Sequence, residues 1–158
     1  MQIQRFSFQS KVKYNQHYHS NLMKEEFQQF CNQVLALDPS IRFVGIADRD
    51  GKFEATTERK NLKPLLSQEE RAQYAITAAT RQYTRLRWEY LLGKINYASS
   101  HYTKLIRATV PIADEQNKLY YVLLLSFDVT ADNFHEIIMK RIIPLIRTNT
   151  DIFFRKPQ

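Results

Sequence analysis

Three groups of side chains in this chain are of types that do chemistry. The first lies in IRFVGIADRDGKFEATTE, Ile41 to Glu58, where Asp48, Asp50 and Gly51 crowd together after a strand-like run. A calcium loop would put Asp48 and Asp50 at its third and fifth positions. Ile46 would then be first and Thr57 twelfth, and neither supplies the carboxylate those positions need. A catalytic carboxylate pair needs burial to separate its two pKa values, and a hairpin tip is exposed. The remaining reading is a turn, with Asp50-Gly51 at its two central positions.

The second group is the histidines and the cysteine. His17 and His19 have no third metal ligand near them in sequence, and His101 and His135 stand apart. Cys31 lies beside an apolar helical stripe and reads as core packing rather than as a nucleophile. The third group is basic. Arg81, Arg85 and Arg87 fall off the apolar stripe of a long helix. Residues 1–20 carry Arg5, Lys11 and Lys13 without an acid, and residues 90–113 carry Lys94, Lys104 and Arg107 without one. Such patches attract phosphate or an acidic partner, or form a solvated surface. There is no glycine-rich phosphate loop, no G-x-S-x-G elbow and no H-E-x-x-H. The sequence therefore assigns no catalytic residue, no metal ligand and no cofactor, and points away from an enzyme.

The chain has 158 residues, a formal charge of +7 and 44% hydrophobic residues. That is enough apolar surface for one core and too much for a disordered chain. A single cysteine rules out an internal disulfide framework and fits a reducing, cytoplasmic setting. YYVLLLSF, Tyr120 to Phe127, is too short to span a membrane, and the N-terminus lacks the apolar core of a signal peptide.

The elements that must position these residues follow from periodicity. Phe6, Phe8, Val12 and Tyr14 share one parity, while Arg5, Ser7, Gln9, Lys11 and Lys13 hold the other, which predicts an amphipathic N-terminal strand. A helix follows over 21–37, with Met23, Phe27, Phe30, Val34 and Leu37 on its stripe and Asp38-Pro39 at its end. Ile41 to Ala47 is apolar on both parities, so both faces should be covered; Lys52 to Thr57 alternates as an outer strand would. Ser67 and Glu70 make a capping box for a helix predicted to run to Leu92 and stop at Gly93. Its stripe is Ala72, Ile76, Ala79, Tyr83, Leu86 and Tyr90. Strands are expected over 95–102, 104–112 and within KLYYVLLLSFD, then a helix from Asp132 that Pro144 bends or ends. Phe153 and Phe154 in the tail need cover.

The expected architecture is an α/β sandwich. A five-stranded antiparallel sheet in the order α-β-β-α-β-β-β-α carries one long helix on one face and two helices on the other, with the extra N-terminal strand. The organisation is an arm (1–20), a central domain (21–147) and a tail (148–158).

This order resembles the profilin-like group, and within it the roadblock and longin domains. The hairpin FVGIADRDGKF resembles the first hairpin of roadblock domains. IRFVGI, PLLSQEER, GKINYASS and YYVLLLSF are similar to an uncharacterised family of small archaeal proteins. The resemblance covers residues 21–147 and implies the same fold, a non-enzymatic interaction or regulatory module of a signalling kind, and no catalytic residues to carry over. The N-terminal strand and aromatic tail depart from the roadblock pattern. The expected partner is a second copy of the chain, with a further protein partner open. The expected contact residues are Phe6, Phe8, Val12, Tyr14, Arg81, Arg85, Arg87, Phe153 and Phe154.

Two other functions compete. A PAS-like small-ligand sensor would also use five strands, with Tyr83, Trp88, Tyr90 and Tyr97 as pocket walls; one long helix between the second and third strands leaves little room for a large pocket. Nonspecific nucleic-acid binding would use RFSFQSKVKY, where basic and aromatic residues alternate. In a strand those two sets face opposite ways, which separates stacking from phosphate contact.

Overall fold

A computed structural model of the chain describes residues 3–155, without the side chains of residues 3–11 and Tyr14. The elements are α1 (Ile3–Leu35), β1 (Ile41–Asp48), β2 (Phe53–Glu58), α2 (Gln68–Leu86), α3 (Glu89–Leu92), β3 (Ala98–His101), β4 (Leu105–Ala113) and β5 (Leu119–Asp128). After them come α4 (Phe134–Ile137), a π-helical segment (Ile138–Ile142), α5 (Ile143–Thr148) and α6 (Thr150–Phe153). The strands form one antiparallel sheet in the order β2-β1-β5-β4-β3. Helices cover both faces, so the sandwich read from the sequence is the fold observed.

The faces differ in packing. Under α1 and the C-terminal helices, Phe27, Phe30, Cys31 and Val34 meet Ile41, Val44 and Ile46 of β1 and Leu123, Leu125 and Phe127 of β5. Cys31 is fully buried, and burial pushes its thiol pKa up to about 12, which suits packing and not nucleophilic attack. Under α2 the contacts are small: Ala75, Ala78 and Ala79 against Ala47, Val122 and Leu124.

The N-terminal strand is not there. Residues 3–20 continue α1 without a break. No Gly or Pro precedes Pro39, so nothing interrupts a helix, and a helix satisfies its own backbone where a strand would need a sheet edge. The edge expected to receive it, β2, is already flanked by α1: Gln28 Nε2 donates to the Thr56 carbonyl at 2.9 Å. Val12 lies on the outer part of this helix and is exposed, as is every described side chain from Val12 to Leu22. Phe6, Phe8 and Tyr14 have helical backbone; their side chains lie outside the described residues.

The β1–β2 turn differs by one residue from its expected frame. Gly51 N–H donates to the Asp48 carbonyl, so Arg49 and Asp50 are the central pair and Gly51 follows with φ +86°. The Asp48 carboxylate accepts from the N–H groups of Asp50 and Lys52 at 2.9 and 3.0 Å, which makes it a turn organiser. The β4–β5 turn repeats the device. Asp114 accepts from Gln116 and Lys118, each at 2.9 Å, and Asn117 takes φ +61°.

Pro144 bends its helix through the π segment. Ile143 N–H reaches back to the Ile138 carbonyl, and the extra residue accommodates a proline that has no N–H to give. Phe153 then finds cover within the chain, stacked on Phe27 at 5.7 Å and edge-on to Phe30 at 5.0 Å. Phe154 is half-buried and meets Tyr120 edge-on at 5.1 Å. Among the described residues no helix is long and apolar enough to cross a membrane.

Candidate interaction surface

The α2 face of the sheet carries a helix start, a close approach and, at β3, an open edge. The start is the capping box read from the sequence: Glu70 N–H donates to Ser67 Oγ at 3.2 Å, and Ser67 N–H to Glu70 Oε2 at 2.8 Å. The close approach sets the helix rotation. A Cβ on Gly51 would lie 2.6 Å from the Ile76 nitrogen, so the hairpin touches the α2 backbone itself. Beside the hairpin only small side chains fit between α2 and the sheet, and the longer Gln82 enters further along the helix. The buried stripe is Ala75, Ala78, Ala79 and Gln82; of the expected stripe Ala79 is buried and Leu86 packs partly against it, while Ala72, Ile76, Tyr83 and Tyr90 face outward. Ile76 is 53% exposed, Tyr83 45% and Tyr90 81%. The helix also ends at Leu86, turns at Arg87-Trp88, and resumes as α3 before Gly93 stops it with φ +84°.

The open edge is β3. Tyr102 N–H donates to the Leu105 carbonyl, and the alternation of an antiparallel ladder from that bond turns the N–H groups of Ser99 and His101 away from β4. Trp88, Leu91 and Leu92, at and in α3, are exposed, and the exposed Tyr102 follows directly on this edge. A hollow of about 560 Å³ opens at its end, walled by Leu65, Leu66, Tyr74, Tyr102 and Leu105, with His101, Lys104 and Arg107 at its rim.

The structure brings two of the three expected arginines together. Arg81 and Arg85 of α2 line one cleft with Tyr74, Ser100, Arg107 and Thr109. Arg87, past the end of α2, is not among its walls. Burial, and then the charge of Arg81, hold the Arg85 guanidinium below its ordinary pKa. In the sequence Arg107 belongs to a basic stretch with Lys94 and Lys104, which does not join it to Arg81 and Arg85. Its signal was a charged residue inside KLIRATVPI at the parity opposite Ile106, Ala108 and Val110, the parity that faces α2. The guanidinium of Arg107 stacks on the Tyr74 ring, 3.8 Å from its centroid. Among the described residues no three His, Cys, Asp or Glu side chains come together as metal ligands.

No protein-family model matches the sequence, and no curated protein sequence matches it. Solved structures do share the fold. One described as "MglB with tetrameric arrangement" superposes with a TM-score of 0.65 at 15% identity, covering 83% of this chain and 90% of that one. MglB from Myxococcus xanthus gives 0.60 at 14% identity, with 85% and 95% covered. A Roadblock/LC7 domain from Streptomyces avermitilis gives 0.57 at 10% identity, with 77% and 92% covered. The fold is thus roadblock-like, as the first hairpin and element order implied.

Proposed function

We propose that this chain is a non-enzymatic interaction and regulatory module that associates with a second copy of itself through the open edge of β3 and the outward face of α2. One observation carries the reading. The two sheet edges are treated differently: β2 lies beside α1, while β3 is the open edge and runs into the exposed Tyr102, and α2 turns Ile76 and Tyr83 outward. An unpaired edge beside apolar side chains is a surface that binds another chain. The tetrameric arrangement described for a protein of the same fold supports the reading. The outer part of α1, which carries Phe6, Phe8, Val12 and Tyr14, is proposed as a second contact, now as a helical arm.

Light scattering of the full-length protein tests this. The expected mass is a dimer or higher at high micromolar concentration. Ser99→Pro, which removes an outward N–H, and Tyr83→Glu each shift it toward monomer, while deletion of residues 1–14 has the smaller effect. A wild-type monomer at that concentration ends the proposal. A small-ligand sensor is the second reading. The hollow at the end of β3 favours it, because its size falls within the range of small-molecule sites.

A further inference from the structure

Most arginines held partly out of water in this protein are neutralised. Arg42 reaches Asp128 at 3.0 Å and Arg59 reaches it at 2.7 Å, and Arg71 reaches Glu58 at 2.8 Å. Two others are half-buried, Arg85 and Arg107, and neither meets a carboxylate among the described residues. Both line the same cleft, where Arg81 adds a third guanidinium. No acid lines it, and between Arg71 and Ala113 the chain's one acidic residue is Glu89, which is not among its walls.

Leaving like charges partly buried together is unfavourable; burial first, and then the charge of Arg81, lower the Arg85 pKa. An anion reverses the sign. The Tyr74 ring holds the Arg107 plane, so its N–H edge is oriented before anything binds. Ser100 and Thr109 supply hydroxyl donors on the floor of the cleft. Planar guanidinium groups with neighbouring hydroxyls match the oxygens of a tetrahedral, multiply charged anion better than a single carboxylate, because each oxygen accepts more than one bond.

The cleft itself is narrow, with a free volume of about 10 Å³, and we propose that a phosphate-type oxyanion binds at its mouth, between α2 and the β3–β4 strands, through Arg81, Arg85 and Arg107, with Ser100 and Thr109 beneath them. The site lies within one chain and stands whether or not the chain self-associates. Its chemistry is shared by a free phosphate compound and a phosphorylated side chain of a partner protein.

The test is calorimetric titration of the full-length protein with sodium pyrophosphate, with ionic strength held by sodium chloride. Saturable binding with a sub-millimolar Kd is expected. Arg85→Gln and Arg107→Gln should each weaken it about tenfold or more, since each removes charge-assisted bonds. Arg87→Gln, outside the cleft, should leave it unchanged. Ser100→Asp keeps every arginine and places a carboxylate among them; it should abolish binding and raise the thermal midpoint. A short phosphoserine peptide with neutral flanks is titrated in parallel. Tighter binding of the peptide identifies a phosphorylated protein as the source, and tighter binding of pyrophosphate a free compound. Binding of neither, equal loss in Arg87→Gln, or undiminished binding in Ser100→Asp overturns the proposal. Light scattering on the same samples reads self-association separately.

Discussion

The two faces of the sheet are built on different rules. Under α1 and the C-terminal helices the core is made of large side chains that interlock, with Phe27 and Phe30 both packed against Phe153. Under α2 it is made of alanines, and the helix comes close enough for the β1–β2 hairpin to touch its backbone. The first face stores stability in buried area. The second buries less per residue, and its close fit turns the larger side chains of α2 outward, where they are free to meet another chain.

The largest difference should appear on removing a ring. Phe27→Ala is expected to cost roughly 3–5 kcal/mol in urea unfolding, because Phe27 is fully buried and Tyr121 and Phe153 pack against it. A cost near 1 kcal/mol would mean that the helical layer collapses easily around the gap.

Next is the contact between hairpin and helix. Asn117 shows that asparagine is accepted at the positive-φ position of the sister turn. Gly51→Asn therefore keeps the backbone conformation and tests space alone. It should cost about 2–3 kcal/mol through overpacking against α2, whereas Asn117→Gly, at an exposed tip, should be close to neutral. Equal, small effects would show that α2 can draw back without loss.

The paired arginines sharpen the contrast with the unpaired ones. Hydrogen bonds from Arg59, and then from Arg42, hold the Asp128 carboxyl below its ordinary pKa. A depressed folded-state pKa contributes stability that is complete above the unfolded value, about 4, and is lost as the pH falls through the lowered one. Asp128→Asn should cost about 1–2 kcal/mol at neutral pH, the groups being partly exposed. It should also flatten the fall in stability between about pH 5 and pH 2. An unchanged pH profile would remove Asp128 from the account.

Gln82 is an anomaly on the alanine face. It is fully buried, and neither amide atom has a protein partner. Gln82→Met keeps the volume and removes two unsatisfied groups, and should raise stability by roughly 1 kcal/mol; a loss would reveal a partner for the amide. The smallest effect is expected at Ile76. Being exposed, Ile76→Ala should change unfolding by less than about 0.5 kcal/mol and register instead as weaker self-association.

The sequence by itself determined the order of elements, the covered strands and the helix start. Each depends on neighbours a few residues apart: apolar parity in β1 and β5, the Ser67–Glu70 reciprocal bonds, and the need for positive φ at Gly51 and Gly93. Tertiary structure decided three things. It made residues 3–20 helix, because a helix satisfies its own backbone without a partner, nothing in the stretch breaks it, and α1 already flanks β2, the edge expected to receive a strand. It rotated α2, because the distance between helix and sheet depends on a glycine that precedes the helix by a strand and a loop, and that distance selects alanine over isoleucine for the inner face. And it assembled the cationic cleft. Arg81 and Arg85 are four residues apart on one helix and readable as neighbours, but Arg107 reaches them only because β4 lies beneath that helix, and no local pattern records which strand a helix will cross.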